Sequence, residues 1–117
     1  MKISIATPTE TLHAALSDTP AARDFYQQLP LSLTLTDYAN TEKVADLSKP
    51  LALDGEPAGY QPQKGDITYY APWGNLAIFY RDFGYASGLI YLGKFLQDIS
   101  PLLSDEKVEV TISATAL

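Results

Sequence analysis

Cysteine is missing from the chain, and histidine occurs once, at His13. The first absence excludes disulfides, thiol nucleophiles and thiolate metal sites together. The second leaves no imidazole cluster to hold a metal and no orienting histidine for a catalytic triad. No metal and no cofactor is therefore expected, and His13, placed in an expected strand, reads as a surface or satisfied histidine. Positive charge is scarce as well: eight Lys and Arg stand against fourteen Asp and Glu, for a net charge of −6. Nucleic-acid binding needs clustered cations that displace counterions from phosphates, so it is excluded as a partner class. An anionic membrane surface is disfavoured for the same reason. No apolar run approaches the ~20 residues that cross a bilayer. The first residues, Met1-Lys2-Ile3-Ser4-Ile5, alternate like a strand and lack the apolar stretch of a signal peptide, so a cytoplasmic location is the default expectation. Phosphate-loop, zinc-spacing and dinucleotide fingerprints are missing too. Gly84-Tyr85-Ala86-Ser87-Gly88 sets its serine off the position that a nucleophile elbow requires.

What is present is a chain of 117 residues, long enough to bury roughly 65–70% of its unfolded surface in one core, and so expected to form a single domain over residues 1–117. Residues 2–6 alternate apolar and polar as a half-buried strand does, and residues 11–16 return as a second. Ser17-Asp18-Thr19-Pro20 is a helix start, a capping side chain followed by a proline whose missing N–H costs nothing there. Ala21, Ala22, Phe25, Tyr26 and Leu29 share one face of that helix, and Pro30 closes it. Leu31, Leu33 and Leu35 alternate with Ser32, Thr34 and Thr36 as the clearest strand of the sequence. A turn over residues 37–40 leads to a strand at 42–47. Residues 50–66 carry Pro50, Gly55, Pro57, Gly59, Pro62 and Gly65, so they read as an irregular loop, either a lid or a long connection. Residues 67–71 and 76–80 are apolar or aromatic on both faces, as central strands are, and a short strand follows at 89–93. Ser100-Pro101 starts a second helical turn, and Val108, Val110, Ile112 and Ala114 make the last strand. Seven or eight short strands with one firm short helix define a mainly-β fold, and closure into a small barrel removes exposed edges.

The aromatic content is concentrated. Residues 65–85, G-D-I-T-Y-Y-A-P-W-G-N-L-A-I-F-Y-R-D-F-G-Y, hold seven of the chain's thirteen aromatic side chains around a Pro72-Trp73-Gly74-Asn75 turn. Trp73 on that turn either covers one end of the barrel or forms a stacking platform at a pocket mouth, where large stiff rings are favoured. Tyr38, Tyr60, Tyr80 and Tyr85 are the rings expected to join it. The chain's two arginines, Arg23 and Arg81, are the candidate contacts for an anionic ligand; otherwise Arg23 is read as bridged to Asp24 or bonded to a loop carbonyl, and Arg81 as paired with Asp82 or another carboxylate. Asp37 and Glu42 flank a turn. They either stay solvated or, if buried together, raise one another's pKa as acid–base carboxylates do.

The 65–85 block, together with Asp18-Thr19-Pro20-Ala21-Ala22-Arg23, Asp37-Tyr38, Glu42-Lys43 and Pro57-Ala58-Gly59-Tyr60, resembles a prokaryotic family of small cyclophilin-like proteins over residues 2–114. The resemblance implies a compact closed barrel with few helices. It implies little about activity, because the family is named for its architecture and fold alone does not carry chemistry. Cyclophilins proper lower a ~18–20 kcal/mol amide rotation barrier by holding proline in an aromatic pocket beside an arginine. Phe79-Tyr80-Arg81 is similar to their Phe-His-Arg strand, with tyrosine in place of histidine. Three readings follow. The first is a binding module for a small molecule or an extended peptide, with an aromatic cleft near Tyr38, Trp73, Tyr80, Arg81 and Tyr85. The second is a peptidyl-prolyl isomerase that uses Arg81. The third is a dimeric interaction protein whose aromatic patch is its interface.

Overall fold

The computed structural model describes residues 1–115 of the chain. Its elements in order are β1 (Lys2–Ala6), β2 (Thr11–Leu16), α1 (Pro20–Gln27), β3 (Leu31–Tyr38), β4 (Glu42–Asp46), β5 (Gly59–Tyr60), β6 (Asp66–Tyr70), β7 (Asn75–Phe79), β8 (Ala86–Ser87), β9 (Leu89–Phe95) and β10 (Lys107–Ala114). A 3₁₀ turn at Ser100–Leu102 is the second helical turn the sequence predicts. Eight strands close into an antiparallel barrel in the order β1-β10-β3-β4-β7-β6-β9-β2, while β5 and β8 form a separate two-stranded sheet.

Alternation builds the barrel. Ile3, Ile5, Leu12, Leu16, Leu35, Leu76, Ile78 and Leu92 are buried in one cluster, each separated along its strand by a side chain of the opposite face. α1 adds Ala21, Ala22 and Phe25 to the same cluster, and Thr19 caps it by accepting from the Ala22 amide at 3.2 Å. β6 and β7 are buried on both faces, as their lack of alternation predicts. One face serves the main cluster; the other holds Ala77, Phe79 and Leu89 in a second cluster, against which Val44, Tyr60, Tyr70 and Ala86 pack.

The 50–66 segment is tied down at several points and holds a strand of its own. The Leu51 amide donates to the Tyr69 hydroxyl at 3.3 Å, and the Ala52 amide donates to Asp24 Oδ2 at 2.9 Å. Gly59 pairs with Ser87 across β5 and β8. Asp66, buried, accepts from the Tyr60 hydroxyl at 2.6 Å and the Gln63 amide at 2.8 Å.

Closure requires one very close strand approach. Gly93 of β9 pairs with Leu16 of β2 and with Ile67 of β6, beside the register shift at Ile67/Thr68. A Cβ at residue 93 would run into the Ala15 carbonyl oxygen and lie 2.8 Å from Leu16 Cα, both backbone atoms that cannot rotate away. Gly93→Ala is therefore expected to cost about 3 kcal/mol by overpacking. Urea denaturation measures it, and a variant of unchanged midpoint contradicts the close-approach account.

Candidate functional site

The strand β4, E-K-V-A-D, divides its side chains between two faces. Lys43 and Ala45 are buried, whereas Glu42, Val44 and Asp46 point the other way. The Lys43 ammonium is satisfied by the carbonyls of Asp105 at 2.6 Å and Glu106 at 3.1 Å. It therefore does nothing for the charge of its neighbour in sequence. On the opposite face, Glu42 is in register with Tyr38 of β3 on one side and Phe79 of β7 on the other. Val44 is opposite Ala77, and Asp46 is opposite Asn75, which in turn is opposite Tyr70 of β6. Directly opposed residues sit roughly 5 Å apart at Cβ, so these pairs make a continuous floor.

The walls come from turns. Tyr38 ends β3 just before a tight turn whose residues Ala39 and Asn40 both adopt positive φ, 53° and 55°, as primed hairpin turns require. The Thr41 amide closes it on the Tyr38 carbonyl at 3.1 Å. Trp73 stands on the β6–β7 turn, 63% exposed, between two tyrosines. Its ring meets Tyr38 at 5.8 Å and 84°, and Tyr70 at 5.3 Å and 83°. Such edge-to-face contacts are the favoured aromatic geometry. On the far side Phe83 stacks on Phe79 at 6.3 Å and 29°. The enclosed groove measures about 370 Å³, within the range of ligand sites. Another depression, about 420 Å³ beside Pro8, Ser32 and Thr111, has no aromatic wall.

Two polar features of the groove lack partners. Glu42 has no ion-pair or hydrogen-bond partner for its carboxylate among the described residues, and burial between rings pushes its pKa up to about 6. Asn75 is only 4% exposed; its amide donates to the Leu76 carbonyl at 3.1 Å, but its Oδ1 accepts from nothing. No lysine, arginine or histidine lines the groove.

Of the residues singled out in the sequence, Tyr38, Trp73 and, from the Asp37–Glu42 pair, Glu42 line this groove, while Tyr60, Tyr80, Arg81, Tyr85, Arg23 and Asp37 lie elsewhere. Tyr80 lies past the end of β7 and donates to Asp37 Oδ1; burial and that bond raise its pKa to about 12. Tyr60 bonds Asp66 and packs against Tyr91 at 5.1 Å, with its pKa raised by burial and the Asp66 carboxylate. Tyr85 and Arg81 are exposed, and neither borders the groove. Arg81 makes no ion pair among the described residues; Asp82, its expected partner, accepts from the Lys64 amide instead. Arg23 pairs with Asp18, not Asp24, which is used to hold Ala52. Asp37 and Glu42 border different depressions, so they do not form an acid–base couple. Sequence reasoning missed Glu42 as a site residue in its own right, along with Asp46, Tyr70, Asn75, Phe79 and Phe83. The period-2 alternation of E-K-V-A-D was the signal that put Glu42 and Asp46 on one face. Among the described residues no three His, Asp or Glu side chains gather as a metal site would need, and no helix is long and apolar enough to cross a membrane.

The arrangement can hold an apolar body against rings while offering hydrogen-bond acceptors, and it also makes a prediction about stability. Glu42 protonates near pH 6 in the folded chain and near 4.5 when unfolded, so its ionisation opposes folding. Stability is unaffected below the lower value, falls as pH rises through the window, and carries the full penalty above 6. Glu42→Gln is therefore expected to stabilise the chain at pH 7 by about 1 kcal/mol, after allowance for solvent screening of a half-buried group, or about 4 °C in Tm. At pH 4 the two proteins should melt together. Equal melting at both pH values contradicts the burial of this carboxylate.

Comparison with known proteins bears on the fold. A model of a cyclophilin-like family matches residues 5–113. No curated protein matches the chain. Among solved structures, a hypothetical protein from Archaeoglobus fulgidus, determined in solution, is similar with a TM-score of 0.73 at 16% identity, covering 98% of this chain and 95% of that one. At that identity the likeness concerns the barrel alone.

Proposed function

The chain belongs to the cyclophilin-like family, and from that premise we propose that it is a binding module whose ligand, a small molecule or an extended peptide, occupies the groove over β4 and β7. The observation that carries this reading is the exposure of Trp73. A tryptophan that is 63% exposed, propped between Tyr38 and Tyr70 at the rim of the groove, loses apolar contact with water only when something covers it. Catalysis of proline isomerisation needs a donor at the rotating amide. Arg81, which the resemblance offers for that role, is outside the groove, and the groove's charged side chains are carboxylates. This favours binding over isomerisation.

Trp73 is the chain's single tryptophan, so its fluorescence reports the groove without labelling. Titration with short Xaa-Pro peptides bearing a free amino terminus is expected to shift that emission, and Trp73→Ala, followed by backbone amide shifts instead, to weaken binding tenfold or more, as central aromatic contacts do. NMR exchange spectra of the same peptides are expected to show unchanged cis/trans rates. Accelerated exchange replaces this reading with the isomerase. An emission that responds to protein concentration and not to peptide replaces it with a homodimer interface.

A further inference from the structure

We infer that the ligand of this groove presents an organic ammonium group on an apolar body, an inference that rests on reading the groove as a binding site. The sign of the groove is the first ground. Both charged side chains that line it, Glu42 and Asp46, are acidic, and the lysine between them on the chain is turned to the opposite face and held by two carbonyls. An anionic ligand meets repulsion there. A neutral apolar ligand would cover Glu42 and leave it an unpaired buried charge, which is costly.

The second ground is independent of charge. Asn75 lines the same groove, is all but buried, and has an Oδ1 with no donor, although buried polar atoms are as a rule paired. Glu42 and Asp46 line the groove without a partner among the described residues, and the buried Asn75 Oδ1 adds an unpaired acceptor to its wall. The third ground is the shape of the aromatic wall. Tyr38 and Tyr70 each meet Trp73 at nearly a right angle, so the three rings form a corner whose π-faces attract a cation. The register sets Glu42 beside that corner, opposite Tyr38, and places Asp46 on the same face, opposite Asn75 and one strand further from Tyr70. An ammonium on an apolar stem satisfies the carboxylates and rings at once. The chain's net charge of −6 also raises the local concentration of cations.

The test compares choline with 3,3-dimethylbutan-1-ol, which has the same shape but carbon in place of the charged nitrogen. Binding is read from Trp73 fluorescence and from backbone amide shifts of the full chain. Choline is expected to bind at least tenfold more tightly than the alcohol. Glu42→Gln and Asp46→Asn, both checked by thermal melting, should each narrow that gap by weakening choline and sparing the alcohol. A peptide carrying trimethyl-lysine, run beside choline, tells whether the ammonium arrives on a chain or on a small molecule; preference for either over its uncharged counterpart supports the inference. Equal binding of choline and the alcohol overturns the ammonium while leaving the groove a binding site. If choline and the trimethyl-lysine peptide fail while Xaa-Pro peptides with an acetylated amino terminus bind, the ammonium is likewise overturned. If none of these probes perturbs the groove, the binding reading falls with it.

Discussion

β4 is five residues long and lies between β3 and β7, and its alternation decides what its neighbours must do. With Lys43 and Ala45 turned to one face, Glu42 is fixed in register between Tyr38 and Phe79, and Asp46 opposite Asn75. A shift of one residue in that pairing would exchange the two faces, burying the carboxylates in the barrel and setting the lysine among the rings. The tight turn at Ala39 and Asn40 and the β6–β7 turn carrying Trp73 then stand at opposite ends of one floor. The groove is a product of register, and its chemistry follows from which side chains the register exposes.

The treatment of the two charges on β4 shows where the molecule is satisfied and where it is not. The Lys43 side chain is only 2% exposed, yet two backbone carbonyls receive its protons, so the burial is compensated. Asp66 is buried with a tyrosine hydroxyl and an amide in attendance. Glu42 and the Asn75 oxygen receive nothing comparable. Beside Thr115 Oγ1, the Asn75 oxygen is one of two buried side-chain atoms left without a partner among the described residues, and it lies in a groove walled by rings. Polar groups left unmet in an aromatic groove are the pattern of a site prepared for a complementary ligand.

Much of the barrel was legible because its signal is local. The alternation of Leu31, Leu33 and Leu35, the Thr19-Pro20 helix start and the two-faced apolar character of β6 and β7 all survive in the structure. The pairing of Gly59 with Ser87 was not legible, since two-residue strands have no period to detect and their partner is a distant segment. The aromatics were found, but their grouping was not. Tyr69 and Tyr70 are neighbours that face the core and the groove respectively, and Tyr80 leaves the sheet to bond Asp37. Composition cannot make that division; only strand parity and strand ends can. The arginines drew attention as rare cations, whereas the residue that matters more to the groove's character is an ordinary-looking glutamate beside a turn.

The account turns on one carboxyl group, whose ionisation can be followed residue by residue. Carbon-13 detection of the Glu42 side-chain carboxyl across a pH series on the free protein should give an apparent pKa near 6, set by burial between Tyr38 and Phe79. A value at or below the ordinary 4.5 would mean that water or an unseen cation already satisfies this group. The groove would then have no unmet charge for a ligand to answer.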